Sequence, residues 1–407
     1  MAVYEDANGV WWAKIDAGYT KSGGRRRIKR SVKPKGEKGK KAAEVEERKL
    51  LRAKNEGTLT IKSTKVKAWA DEWLERQASR VRPKTWLGYR TTVSYIIPTI
   101  GHKDLDKLTP ADVRAVAAKV KADGGNSTTA RGHQTVTVKM LRDALAEGHK
   151  VPAPVFVVEL PKIATNDRDA IPGDDGRALL ATAAQLPDGS RWVAALLQGM
   201  RQGECLGLTW QCVDLARNTL DVSWQLQALP YAHGCDPKCG RKFGGDCPQR
   251  FLQVPDGYEY RILYGAVCLV RPKSKSGKRI IPLVPWMAAA LRGWKREAPA
   301  SPHDLVWPDA TGEPRDPDDD RAVWKALQDA AKVALPEGRH WHLHEARHTT
   351  ATLLLEADVD PQTVIAIMGH ASIVTSRGYQ HVPQALARQA LERVAERLGL
   401  PSGETAT

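Results

Sequence analysis

Four short segments of this 407-residue chain concentrate side chains able to do chemistry. The first is Arg201-Gln202-Gly203-Glu204. The second is Lys273-Ser274-Lys275-Ser276-Gly277-Lys278-Arg279. The third is His344-Glu345-Ala346-Arg347-His348, and the fourth is Gly369-His370, with Tyr379 nine residues beyond His370. Each has a plain reading by itself. Arg201 and Glu204, three apart, suit a surface ion pair. Lys-Ser-Gly-Lys suits a hairpin turn. A histidine after glycine suits a cap or a core position, and a lone tyrosine is ordinary core. The third segment also matches H-E-x-x-H, in which two histidines on one helix face bind zinc and the glutamate acts as base. His340 and His342 strengthen that pattern, but a zinc protease needs a third ligand and a cleft, and it gives Arg201, Lys273 and Tyr379 no role.

A separate group is His233, Cys235, Cys239 and Cys247. It falls in 231–250, a Gly- and Pro-containing stretch of low apolar content that reads as an insertion. Three thiolates and an imidazole are a set that structural zinc favours. The alternative is three unrelated cysteines in a surface loop. Cys205, Cys212 and Cys268 read as core thiols.

In their order along the chain, the Arg-x-Gly-Glu box, the hairpin lysine, His-x-x-Arg, Gly-His and Tyr together resemble the tyrosine recombinase family of the phage-integrase type. The resemblance implies a multidomain fold. Residues 1–60 would be a small α+β arm-type DNA-binding domain, and 61–165 an all-α, SAM-like core-binding bundle. Residues 166–407 would be a mainly-α catalytic domain with a small antiparallel sheet. It also implies that the Tyr379 hydroxyl attacks a DNA phosphodiester, giving a 3′-phosphotyrosine and a free 5′-hydroxyl. A tyrosine hydroxyl has a pKa near 10 and needs activation at neutral pH. Charge builds on the non-bridging oxygens, and two guanidiniums can hold those oxygens in a fork. By resemblance these are Arg201 and Arg347. His344 handles the Tyr379 proton, His370 is a second hydrogen-bonding group on the phosphate, and Lys273 protonates the leaving 5′-oxygen. Glu204 orients Arg201. Lys275 is the alternative to Lys273; the family's lysine most often precedes a small hydroxyl residue just inside the first strand. The covalent intermediate keeps the energy of the bond, so the resemblance implies no ATP and no catalytic metal. Two rivals remain at this stage: an inactive DNA-binding regulator derived from a recombinase, and a strand-relaxing topoisomerase using the same chemistry.

The elements that must position these residues are legible in outline. Val10–Ile15 and Arg25–Val32 read as strands flanking a Gly-containing turn, followed by a helix from Lys40 to Lys54. Helices are expected over Val66–Gln77 and from Pro83, where Trp69, Trp73, Val93 and Ile96 recur at helical spacing and read as core. Thr109-Pro110-Ala111-Asp112 is a helix start, with Thr as N-cap, Pro next and an acid in the first turn. A further helix is expected over 129–147, and 151–162 reads as a linker. In the last part, strands are expected at Thr219–Trp224, Ala266–Val270 and Arg279–Leu283, the last two flanking the lysine turn as a hairpin. The helix at 385–398 could pack on its own domain or on a neighbouring protomer.

Charge separates the parts. Lys and Arg number 62 against 47 Asp and Glu, a net charge of +15. Residues 1–60 hold 16 basic and 8 acidic, 61–165 hold 18 and 10, and 166–407 hold 28 and 29. A basic excess confined to one part of a chain reads as a nucleic-acid footprint. Arg25, Arg26, Arg27, Lys29 and Arg30, with Arg80, Arg82, Lys84 and Arg90, are the candidate DNA contacts. The expected partners are double-stranded DNA at core-type and arm-type sites and a homotetramer assembled on it. A host bending factor and an excisionase are further expected partners, and no membrane is expected. No run approaches the roughly 20 apolar residues of a membrane span, and the start of the chain lacks a signal-peptide pattern. Six cysteines are too few for a disulfide scaffold. The expected location is the bacterial cytoplasm, on the nucleoid.

Overall fold

The structure is a computed structural model that describes residues 3–19, 25–55, 64–163, 170–236, 239–273, 277–333, 335, 338–369 and 384–399. The chain divides into two compact units, 1–165 and 166–407.

The first unit contains two separate cores. Strands β1 (Val3–Glu5), β2 (Trp11–Tyr19) and β3 (Arg25–Ser31) form an antiparallel sheet in that order, and helix α1 (Gly36–Asn55) packs on it. Ala13, Ile15, Ile28 and Leu50 make its small core. Ile15 faces Ile28 across the ladder, so the strand period puts Arg30 on the helix side and Arg27 and Lys29 on the other. Accordingly Arg30 is held by Glu46 of α1 at 2.9 Å, while Arg27 and Lys29 are exposed. Arg25 and Arg26 lie in β3, and their side chains fall outside the described ones.

The second core of this unit is helical: α2 (Val66–Ala78), α3 (Pro83–Ile100), α4 (Pro110–Ala122) and α5 (Ser127–Ala146). Trp69 and Trp73 are both 1% exposed, as their spacing required. Each indole N–H finds an acceptor, Trp69 on the Met140 carbonyl (3.0 Å) and Trp73 on Asp143 (2.7 Å). The start of α4 is a reciprocal cap in which the Asp112 carboxylate accepts from the Thr109 N–H and hydroxyl, both at 2.9 Å. The expected linker is a correction. Val151 and Val155 are buried in the helical core, and the Gln134 side chain donates to the Glu159 carbonyl at 2.9 Å. Proline spacing signalled an irregular backbone, but the two valines dock it.

The second unit opens with helices α6 (Gly173–Ala183), α7 (Ser190–Leu196) and α8 (Gln202–Leu206). Among the described residues, eight strands follow: β4 (Val213–Asp214), β5 (Thr219–Val222), β6 (Gln225–Ala228), β7 (Tyr231–Ala232), β8 (Phe251–Leu252), β9 (Tyr260–Tyr264), β10 (Val267–Val270) and β11 (Arg279–Pro282). Helices α9 (Pro285–Glu297), α10 (Pro317–Ala330), α11 (Leu343–Glu356), α12 (Pro361–Met368) and α13 (Gln384–Arg397) complete it. The fold class is the expected one, mainly helical with small antiparallel sheets. The lysine hairpin is corrected. β10 has β6 on one edge and β9 on the other, so β11 pairs instead with β5 in a second sheet. Lys273 therefore sits on a connection between two sheets, not on a hairpin turn.

The core of this unit gathers Trp192, Leu220, Ile281, Met287, Trp307, Trp324, Leu354 and Met368. Leu391 and Val394 of the last helix, and Leu398 just beyond it, are part of the same core, and Arg388 donates to the Leu283 carbonyl at 2.9 Å. In this structure α13 thus packs on its own domain. Among the described residues, no helix is long and apolar enough to cross a membrane.

Candidate active site

The site is built on two helix beginnings and one helix end. Arg201 is the N-cap of α8, and Glu204 reaches back to accept the Arg201 N–H at 3.0 Å. The same carboxylate accepts the Arg201 guanidinium at 2.7 Å. It is then gripped from the other side by Arg279, the first residue of β11, with Nη1 at 3.1 Å and Nη2 at 2.9 Å on its two oxygens. Glu204 is 1% exposed. Burial works against its charge, but the Arg279 guanidinium, then Arg201, outweigh burial and pull the carboxyl from 4.5 down to about 2. The sequence reading paired Glu204 with Arg201 and missed Arg279. Strand alternation was the available signal, since it puts Arg279 on the same face as the buried Ile281.

Arg347 lies on the first turns of α11 and is 2% exposed. Its two terminal nitrogens donate to the carbonyls of Gly199 and Met368. Its Nε has no acceptor among the described residues. Burial, then the nearby Arg201 and Arg279 guanidiniums, lower its pKa from 12.5 to about 9, so it stays charged at neutral pH. Three arginines and one carboxylate therefore share one region, which leaves a net positive charge.

The end of α12 organises all three. Arg279 Nε donates to the Ile367 carbonyl at 2.8 Å, Arg347 to the Met368 carbonyl, and Arg201 to the Gly369 carbonyl at 3.3 Å. These are consecutive carbonyls at a helix C-terminus, where unpaired acceptors and the negative end of the helix dipole favour cations. Gly369 closes the helix at φ +61°, a conformation that glycine takes without strain. The next residue is His370, so the cluster holds the chain immediately before it.

His344 and His348 meet edge-on, ring centroids 4.7 Å apart, with His344 exposed and His348 half-buried. Glu345 is used as a helix cap, accepting the His342 N–H at 2.6 Å. The H-E-x-x-H glutamate is thus turned to the backbone, and no metal-type cluster forms around these histidines among the described residues. Lys273 is exposed on its connection. Lys275, His370 and Tyr379 lie outside the described residues. A second buried pair that the sequence did not signal supports the site from below: Arg191 to Asp320 at 2.8 Å, both fully buried. Asp320 also accepts from Gln202, the residue after Arg201, at 2.9 Å, which ties the start of α8 to α10.

Among the candidate DNA contacts, Arg80, Lys84 and Arg90 are exposed and Arg82 is half-buried as the N-cap of α3. Arg90 stacks over Trp86 at 5.2 Å. The ligand atoms of His233, Cys235, Cys239 and Cys247 all lie within 4.8 Å of one another.

Comparison with known proteins agrees with this geometry. A profile of the phage integrase family matches residues 262–385, and one of the phage integrase N-terminal SAM-like domain matches 65–119. These matches support a tyrosine recombinase of the phage-integrase type. Within this recombinase, the first match spans Lys273, His344, Arg347, His370 and Tyr379 and leaves Arg201 outside. The chain is 27% identical over 427 residues to an integrase of Saccharopolyspora erythraea, covering 96% of this chain and 95% of that one. Among solved structures, it is similar to the Tn1549 transposon integrase in complex with transposon right end DNA (19% identity, TM-score 0.59, 82% of this chain and 100% of that chain). A lambda integrase dimer bound to a COC′ core site is also similar (17% identity, TM-score 0.54, 95% and 94%). At these identities the likeness to the two structures is one of fold.

Proposed function

We propose that this chain is a site-specific DNA recombinase that integrates or excises a mobile element through a 3′-phosphotyrosine intermediate. The observation that carries the proposal is the convergence of Arg201, Arg347 and Arg279 around one buried carboxylate, directly before His370. Glu204 offsets one of the three charges, so the remainder suits an anion with several oxygens, such as a phosphodiester. Arg279 is locked by Glu204 and is the structural member. Arg201, with 36% of its side chain exposed, and Arg347, whose Nε has no acceptor among the described residues, are the two that would hold non-bridging oxygens.

The chemistry then balances with groups of this chain alone. The Tyr379 oxygen forms a bond to phosphorus, and its proton passes to His344. The bond from phosphorus to the 5′-oxygen breaks, and Lys273 supplies that oxygen's proton. His370 donates a hydrogen bond to the phosphate as charge builds. Rejoining reverses each transfer onto a different 5′-hydroxyl. Two duplexes exchanged in two steps call for four tyrosines, hence a homotetramer on core-type DNA. The small basic sheet of 1–60 would hold arm-type DNA, and the helical bundle of 61–165 the flank of the core site. A host bending factor and an excisionase would set direction.

The test uses DNA flanking the gene, where an attachment site is sought, incubated with the full chain in EDTA. The expected result is a protein–DNA adduct that survives SDS and is absent in Tyr379→Phe. An adduct of equal yield in Tyr379→Phe would assign the nucleophile elsewhere. Tight, salt-sensitive binding to a cleavable site with no adduct would favour a binding-only regulator.

A further inference from the structure

The recombination chemistry gives no role to the four residues His233, Cys235, Cys239 and Cys247. We propose that they bind one structural Zn²⁺ that staples residues 233–250 into a defined module on the catalytic unit. The module leaves and rejoins the domain through one short hairpin. β7 pairs with β8, Tyr231 opposite Leu252 and Ala232 opposite Phe251, so the segment between closes on itself.

Among the described residues, no hydrophobic cluster holds that segment together. None of the hydrophobic clusters of the protein includes a described residue of 233–250, and Phe243 is 55% exposed. A segment this short without a core needs another constraint. The backbone is nonetheless drawn in tightly. A Cβ on Gly234 would stand 2.2 Å from the Gln249 carbonyl oxygen, and one on Gly244 2.4 Å from that of Tyr231. Both positions tolerate only glycine because opposite sides of the loop touch there.

The four ligand atoms all lie within 4.8 Å of one another, and two of their separations are those of a tetrahedral ion. With Zn–S about 2.3 Å and Zn–N about 2.0–2.1 Å, tetrahedral ligands stand roughly 3.8 Å (S to S) and 3.6 Å (S to N) apart. Here Cys247 Sγ and Cys235 Sγ are 3.5 Å apart, as are Cys239 Sγ and His233 Nδ1. A disulfide would bring two sulfurs to about 2.05 Å, so the cysteines are not paired in that way. The Cys239 N–H donates to Cys235 Sγ at 3.2 Å, the kind of outer hydrogen bond that orients a metal-bound thiolate. Three soft sulfurs with one imidazole select zinc over the oxygen-seeking Mg²⁺ or Ca²⁺. Four protein ligands leave no open position, which makes the site structural and not catalytic. Binding replaces the proton of each cysteine thiol with the metal.

The experiment is metal analysis of the full chain, prepared under reductant and freed of loose metal. The expected result is one zinc per chain. Replacing it with Co²⁺ should give the visible bands of a tetrahedral thiolate site. Both signals should be lost in the Cys239→Ser/Cys247→Ser double variant and kept in Cys212→Ser. Wild-type metal content and the cobalt spectrum decide the question even if the double variant folds poorly. Zinc far below one per chain in the folded, reduced protein would overturn the proposal. So would stoichiometric zinc in the double variant, or a Cys235–Cys247 disulfide formed in reductant.

Discussion

Glu204→Gln tests whether the carboxylate holds the arginine cluster together. Glu204 accepts four hydrogen bonds, two from Arg201 and two from Arg279, and is almost wholly buried. A carboxyl held at about 2 in place of 4.5 contributes about 3 kcal/mol at neutral pH. Removing one partner of a buried charge pair costs about 3–5 kcal/mol, which agrees. For a domain of this size, the catalytic unit's melting temperature should fall by roughly 6–12 °C at pH 7. The pH dependence has a definite sign. Because the folded-state pKa is depressed, the contribution is complete above the ordinary value of 4.5 and is lost as pH falls through about 2. The gap between wild type and variant should therefore shrink to about 1 kcal/mol near pH 3. Calorimetry of both proteins from neutral pH to pH 3 measures it. A variant that melts within about 2 °C of wild type at pH 7 would refute this account of the cluster. A gap that does not change with pH would refute it equally.

Arg347→Lys should lower adduct formation about 10²–10³-fold while changing DNA affinity far less, because an ammonium cannot span the Gly199 and Met368 carbonyls and still present a donor to phosphate. Suicide-substrate cleavage beside gel shifts separates the two effects. Thr109→Ala should destabilise the helical bundle by about 1 kcal/mol through loss of its cap, with cleavage per bound protein unchanged. Alanine at Arg27, Lys29 and Arg30 together should reduce the salt slope of arm-site binding by about 2–3, since each lost phosphate contact removes about 0.9. The lower figure corresponds to Arg30 remaining engaged with Glu46.

Much of the helical bundle was legible because its signals are local. Thr109, Pro110 and Asp112 define a helix start within four residues, and Trp69 and Trp73 lie on one face through the helical repeat. His344 and Arg347 fall one turn apart for the same reason. The linker and hairpin readings failed where local signals were ambiguous. Proline in 151–162 marks irregular backbone and says nothing of what Val151 and Val155 bury against. Two strands flanking a Gly-containing turn look like a hairpin until β9 and β6 occupy both edges of β10.

The sequence by itself supplied the groups proposed to react and their order, since the identities of Arg201, Lys273, His344, Arg347, His370 and Tyr379 and their separations are properties of the chain. It also supplied the proposed zinc ligands His233, Cys235, Cys239 and Cys247. Tertiary structure decided which charges meet. Arg279 reaches Glu204 across 75 residues, Arg347 reaches Gly199 across 148, and Arg201 reaches Gly369 across 168. Periodicity carries information over a few turns of one element. Pairing at these distances depends on how β11, α8, α11 and α12 pack, and it is fixed by the need of each buried guanidinium and each helix-end carbonyl for a partner.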